Sequence, residues 1–222
     1  SVVGFYFPPT EDGSRPGTYY VNTFEPHTRP RYNLVALTLH EAVPGHHLQI
    51  ALGNEARGLP RFRRHRLGTQ AALTAFTEGW GLYSERLGVE MQMYDSDIER
   101  FGMLSYQAMR AARLVVDTGL HALRWSRERA VEFMRENAGI PDGEAANEID
   151  RYVVWPAQAL AYKMGQRHIE DLRRRAAEAL GSGFDVRAFH DELLSHGAVP
   201  LSTATLAIDN VDPTRVYAGH NK

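Results

Sequence analysis

Leu39-His40-Glu41-Ala42-Val43-Pro44-Gly45-His46-His47-Leu48-Gln49 is the stretch on which the reading of this chain turns. Three histidines and a glutamate fall within eight residues. Packing alone is a poor account of that density, because burying so many titratable groups costs free energy unless each finds a partner. One arrangement that uses these residue types is His-Glu-x-x-His on a helix. Two imidazoles one turn apart face a zinc ion there, and the glutamate activates the metal-bound water. Here the position four after His40 is Pro44, which offers no ligand atom. Proline also removes a helical N–H and clashes with the preceding turn, so a kink or bulge is expected at Pro44-Gly45.

That distortion bears on the second ligand. In a straight helix His46 lies about 240° around from His40, and His47 about 340° around but roughly 10 Å further along. Parallel side chains that far apart converge poorly on one ion. A two-residue bulge puts His46 at the fourth-position site, with His47 the alternative. The plainer reading of the whole cluster is a buried polar group at a kinked helix.

Zinc needs a third protein ligand and an open position. Glu78, in Phe76-Thr77-Glu78-Gly79-Trp80-Gly81-Leu82-Tyr83-Ser84-Glu85, follows His46 by 32 residues and lies on the next strong helical segment. Its apolar neighbours Phe76, Trp80 and Leu82 point it inward. Glu85, seven residues on along the same face, is a supporting or competing ligand.

Outward from this centre the chain is mainly helical. Residues 31–52 read as a helix broken at Pro44-Gly45. Helical spacing follows over 68–88, 92–124, 126–137, 142–154, 157–180 and 185–195, with a short helix after Pro200. Ser126 is placed as an N-cap. In the long segment Ile98, Phe101, Leu104, Ala108, Ala112, Val115, Gly119, Leu120 and Leu123 read as the apolar stripe. Residues 1–30 differ: they hold five of the eleven prolines, and Phe5-Tyr6-Phe7 and Thr18-Tyr19-Tyr20-Val21 flank a turn-rich stretch, a short β-ribbon packed on the helices. The expectation is one domain, 1–30 as ribbon and 31–222 as the helical metal-binding part.

Composition narrows the function classes. With 222 residues, 25 Lys+Arg against 27 Asp+Glu and a net charge of −2, nothing suggests a nucleic-acid binder working through bulk charge. There is no cysteine, which excludes thiolate sites and cysteine nucleophiles. No apolar run approaches the ~20 residues of a membrane span. The chain opens on Ser1 without a signal peptide, so it reads as processed or as a piece of something longer, in a bacterial cytoplasm or exported. Arg173-Arg174-Arg175, flanked by Glu170, Asp171 and Glu178, reads as a solvated helix face. Gly-rich phosphate loops and a Gly-x-Ser-x-Gly elbow are absent.

The two central motifs resemble the bacterial DUF885 family of uncharacterised proteins. So do Asp12-Gly13-Ser14-Arg15-Pro16-Gly17-Thr18-Tyr19-Tyr20-Val21-Asn22, Val116-Asp117-Thr118-Gly119-Leu120-His121, and the stretch from Arg151-Tyr152 through Trp155-Pro156-Ala157-Gln158 to Gly165. That family is similar to helical zinc peptidases with a glutamate third ligand, in the oligopeptidase, carboxypeptidase Taq and angiotensin-converting-enzyme groups. The resemblance implies a zincin-like helical catalytic domain and the C-terminal half of a longer protein, with a missing N-terminal half or another subunit supplying much of the cleft. It also implies Tyr162, one turn from Gln158, as the phenol that steadies the oxyanion.

Other polar groups carry weaker signals. Arg110, Arg113, Asp117, His121 and Arg124 recur along the long helix. Two readings stand: a cleft lining in which His121 transfers a proton and Asp117 orients it, or a salt-bridged solvent face. Arg15, Tyr19, Tyr20 and Asn22 suit an added peptide strand, or plain packing of the ribbon.

The expectation is a zinc-dependent hydrolase with one Zn2+ per chain held by His40, His46 and Glu78. Glu41 is its base, and Tyr162 and His121 stabilise the oxyanion of a peptide or small amide substrate. The alternatives are a metal-stabilised binding domain and a hydrolase of a non-peptide amide or ester.

Overall fold

In a computed structural model, residues 3–10, 12–64, 70–140 and 142–209 are described. A two-stranded antiparallel ribbon, β1 (Gly4–Phe7) and β2 (Thr18–Val21), opens the chain, pairing Phe5 with Tyr20 and Tyr6 with Tyr19. After it the described residues are helical or connecting segments: α1 (Leu34–Glu41), α2 (His46–Glu55), α3 (Arg61–Arg64), α4 (Gln70–Glu90), α5 (Asp97–His121), α6 (Arg127–Ala138), α7 (Asp142–Val154), α8 (Gln158–Leu180), α9 (Val186–Ser195) and α10 (Leu201–Asp209). The fold is mainly α with a short N-terminal ribbon, as expected from the periodicity.

Local chemistry accounts for the boundaries. Ser96 and Ser126 cap α5 and α6 by accepting from Glu99 N and Arg129 N, and Asp185 caps α9 through Arg187 N. Gly139, at φ 61°, closes α6 in the left-handed conformation that costs glycine little. At Pro44-Gly45 the distortion is larger than a bulge. The helix ends at Glu41 and restarts at His46, with a cis Val43–Pro44 peptide between. A Cβ on Gly45 would lie 1.9 Å from the His40 carbonyl oxygen, so only glycine lets α2 start this close to the end of α1. Trp80 Nε1 donates to the Pro44 carbonyl at 2.8 Å and ties the break to α4.

Two apolar clusters build the interior. One joins α1, α5, α6 and α7 through Leu37, Leu39, Met103, Tyr106, Met134, Ile149 and Tyr152. The other joins α4, α8, α9 and α10 through Phe76, Trp80, Ile169, Leu172, Phe189 and Leu193. Each large side chain buried in them contributes roughly 1.5–3 kcal/mol. The α4–α8 crossing is very close: a Cβ on Gly165 would sit 1.8 Å from the Ala75 carbonyl oxygen, and one on Gly79 2.4 Å from the Gly165 backbone.

The buried face of α5 takes only Ala112 and Gly119 fully from the stripe expected. Ile98, Phe101, Leu104 and Val115 are 41–55% exposed, while Met103, Tyr106, Met109, Arg110, Arg113, Val116 and Asp117 are buried. The helix turns its arginines inward because buried partners await them. Arg113 donates to Tyr152 Oη at 2.7 Å and pairs with Glu148 at 2.6 Å. Neither a salt-bridged solvent face nor the apolar stripe describes this helix.

The arginine run on α8 does face outward in part. Arg174 pairs with Asp171 and Glu178, Arg175 with Asp209, and Arg173 clamps Glu90 across to α4. No helix among the described residues is long and apolar enough to cross a membrane.

Candidate metal centre

The last turn of α1, the first turn of α2 and the middle of α4 meet at one point. His40 Nε2 and His46 Nε2 each lie 3.4 Å from the same oxygen, Oε2 of Glu78. One ligand atom from each of the three residues lies within 4.8 Å of the other two. The two imidazoles stand edge to face, their centroids 4.6 Å apart. Gly81 makes room for them, since a Cβ there would be 2.7 Å from the His40 ring.

The restart of the chain at His46 sends the neighbouring histidines to different partners. His46 opens α2 facing Glu78. His47 turns to the ribbon, where its Nδ1 and Tyr6 Oη are 2.9 Å apart and the rings meet edge to face.

Behind the three residues lies a second carboxylate. His40 Nδ1 donates to Glu85 Oε1 at 2.8 Å, since a carboxylate can only accept. With Nδ1 engaged there, Nε2 is the nitrogen that faces Glu78, and a ligated His40 would keep its remaining proton on Nδ1. Glu85 is fully buried, its backbone carbonyl accepts from Tyr94 Oη at 2.7 Å, and Arg110 Nη2 stands 3.7 Å from its carboxylate. Glu85 therefore supports His40 and does not compete for its place.

The electrostatics favour a cation. Burial opposes charge on His40, yet hydrogen bonds to Glu78 and Glu85 and the charges of Glu85 and Glu41 hold its pKa up at about 9. Burial by itself would raise the Glu78 carboxyl; the two histidines outweigh it and hold it well below the usual carboxylate range. Glu78 thus faces both imidazoles, Glu85 holds the far side of His40, and the charge of Glu41 reaches it. The donor types suit zinc: tetrahedral coordination at about 2.0–2.1 Å places ligand atoms roughly 3.4 Å apart, both histidine–Glu78 separations are 3.4 Å, and the two imidazoles' ligand atoms lie within 4.8 Å of each other. His46 Nδ1 is buried with no hydrogen-bond partner among the described residues.

Of the remaining expected residues, Glu41 is 9% exposed and close enough to His40 for its charge to act on it. Tyr162 is also here. Its ring stacks 6.5 Å from His40, Gln158 Nε2 donates to its hydroxyl at 3.1 Å, and the Arg113 guanidinium lies 4.7 Å from its centroid. Burial, then the charge of Glu78, pushes its pKa up, so it stays a phenol at neutral pH. His121 is not brought to this group. It sits eleven residues beyond Arg110 on α5, about 16 Å along the axis, exposed, with Nε2 on the Tyr152 carbonyl at 3.0 Å. Asp117 does not orient it through a hydrogen bond; both its oxygens accept from Ala157 N and anchor the start of α8.

Arg110 and Arg113 beside Tyr162 fit the cleft-lining reading of α5 in their place, though not through the roles that reading gave Asp117 and His121. Their spacing on α5 was visible, but nothing in it distinguished an inward from an outward face.

The sequence profile of a family described as bacterial proteins of unknown function, DUF885, matches residues 1–207. The chain belongs to the DUF885 family. A solved structure from Colwellia psychrerythraea, provisionally described as a lipoprotein, is 44% identical with a TM-score of 0.89 over 94% of this chain and 35% of that one. Another from Shewanella oneidensis, provisionally described as a lipoprotein of unknown function, is 25% identical with a TM-score of 0.76 over 93% of this chain and 39% of that one. This DUF885 chain therefore spans well under half the length of either relative. No curated protein matches it.

Proposed function

We propose that this DUF885 chain carries the catalytic centre of a zinc-dependent hydrolase, a metallopeptidase acting on short peptides. The observation that carries the reading is the single Glu78 oxygen lying 3.4 Å from both imidazole nitrogens, with Glu85 holding the far nitrogen of His40 at 2.8 Å. His40, His46 and Glu78 would hold one zinc. Bound there, zinc supplies the Lewis acidity that lowers the pKa of water toward ~7 and polarises a carbonyl. Glu41 takes a proton from the attacking water and returns it to the leaving amine. Tyr162, kept protonated, donates to the oxyanion that develops on the substrate carbonyl, and Gln158 and Arg113 hold its ring in place. His121 takes no part in this scheme. The description of both solved relatives as lipoproteins supports an exported setting.

The competing reading, a metal-stabilised binding domain, is favoured by one fact: the chain spans only 35% and 39% of its two solved relatives, so a cleft shared with the remainder of such a protein is incomplete here. One experiment separates the readings. Metal content is measured by elemental mass spectrometry, and short peptides, a non-peptide amide and an ester are assayed with zinc, with and without chelator, for wild type and Glu41→Gln. The expected result is about one zinc per chain in both proteins, with chelator-sensitive peptide cleavage that Glu41→Gln lowers about 10²–10⁴-fold. Undiminished turnover in Glu41→Gln removes Glu41 as the base. Bound zinc without cleavage of any substrate selects the binding domain.

A further inference from the structure

A groove of about 280 Å³ lies between the N-terminal half of α4 and the turn joining α7 to α8, lined by Thr74, Ala75, Trp155, Gln158, Ala161 and Met164 among others. That volume lies just below the ~300–1,000 Å³ of sites that enclose a drug-sized ligand, and suits a side chain better than a whole small molecule.

Its position ties it to the metal centre from two sides. On α4, Thr74 stands four residues before Glu78, one helical turn or about 6 Å away on the same face. On α8, Ala161 adjoins Tyr162, and Gln158 in the groove wall donates to the Tyr162 hydroxyl. The groove and the proposed oxyanion donor therefore share a residue.

The groove is also a built feature. The left-handed Ala157, at φ 67°, begins α8, and its N–H is held by the buried Asp117 carboxylate at 3.1–3.2 Å. Arg151 donates to Gln158 Oε1 at 2.6 Å. These bonds use Gln158 at both ends, so the groove offers a visitor mainly carbon. Trp155 and Met164 stand 55% and 49% exposed on its walls, large apolar surface that folding leaves uncovered.

We infer that this groove is the specificity pocket of the enzyme, taking an apolar side chain, aromatic or leucine-like, of the peptide residue next to the bond that is cut. The inference rests on the peptidase reading, because that reading supplies the peptide whose backbone lies at Glu78 and Tyr162. Among the described residues the groove lining holds no cation for an acidic side chain, and Arg151 beside it is committed to Glu148 and Gln158.

The test uses binding and turnover separately. Trp155, in the groove wall, is the reporter. Its fluorescence is titrated with end-blocked Gly-X-Gly peptides in which X is Phe, Leu, Ala or Glu, on wild type and on Thr74→Trp, which fills the groove, with Trp155→Phe to assign the signal. Should Thr74→Trp fold poorly by circular dichroism, Met164→Lys puts a charge on the opposite wall. Phe and Leu peptides are expected to bind about ten-fold or more tighter than Ala, with Glu weakest, and either groove variant to remove the preference.

Equal binding of all four peptides, or a preference that survives both variants, overturns the inference. The same peptides assayed for zinc-dependent cleavage keep the two readings apart. Cleavage indifferent to X and to Thr74→Trp sinks the groove and leaves the peptidase standing. Selective binding without cleavage sinks the peptidase, and with it the groove's part in cleavage specificity, and leaves the groove an apolar side-chain site of a binding domain.

Discussion

His46 and His47 share a peptide bond and face opposite partners. The first looks at Glu78 across 3.4 Å, the second at Tyr6 on the ribbon across 2.9 Å. Their substitutions should separate cleanly. His46→Ala removes a proposed ligand, so elemental analysis should find zinc retention lost or strongly reduced. His47→Ala should keep the metal and lose about 1 kcal/mol of stability with its hydrogen bond to the ribbon. The reverse pattern in metal content would show that the second ligand is His47. The sequence left these two residues open because the answer depends on the path of four residues between α1 and α2. The steric demand at Gly45, with Trp80 tying down the Pro44 carbonyl, is a tertiary fact.

At the scale of elements, the site depends on how closely α4 approaches α8. Gly79 and Gly165 let the two backbones touch, and the same contact sets Glu78 on α4 beside Tyr162 on α8. Gly165→Ala adds a methyl where the Ala75 carbonyl already lies 1.8 Å away. The helices must part, at about 1–3 kcal/mol for overpacking, set against the few tenths to 1 kcal/mol that alanine gains in helix propensity. A net loss is expected, read as a lower urea midpoint with unchanged slope. A midpoint at or above wild type would mean the crossing yields freely.

Helix α5 teaches the opposite lesson about elements. Its period was legible but its orientation was not. Two apolar-looking faces compete on it, and the one that won carries Arg110, Arg113 and Asp117, because Glu85, Glu148, Tyr152 and the Ala157 N–H lie waiting on other helices.

For the whole molecule, the two clusters respond differently to acid. In the α4–α8–α9 cluster, His190 Nε2 lies 2.7 Å from Tyr83 Oη. Burial, reinforced by the charge of Arg173, lowers the His190 pKa from 6.5 to about 4. Below pH 6.5 the unfolded chain binds this proton and the folded one does not, so stability falls as pH drops from 6.5 to 4, by up to about 3 kcal/mol. In the other cluster Glu148 works in a lower window. Burial would raise it, but Arg113 and Arg151 hold it at about 2, so its contribution is present above pH 4.5 and is lost toward pH 2. Urea unfolding measured between pH 7 and 4 should therefore lose stability steadily in wild type and more weakly in His190→Gln. An identical slope in the variant would remove His190 as the source.

Read alone, the sequence determined what depends on local chemistry and spacing. It placed the helices and the ribbon, the cap at Ser126, the break at Pro44-Gly45, and the short set of metal-binding residue types His40, His46, His47, Glu78 and Glu85. Periodicity, capping and proline sterics act within a few residues, so a linear reading can find them. Convergence was decided only by the tertiary structure. It turned His46 and not His47 toward Glu78, put Glu85 behind His40, drew Tyr162 in, buried two arginines beside it and left His121 about three turns beyond Arg110 along α5. Those outcomes follow from the angle at which helices cross and the face each one turns inward. Contacts between residues far apart in the chain fix both, and no local pattern records them.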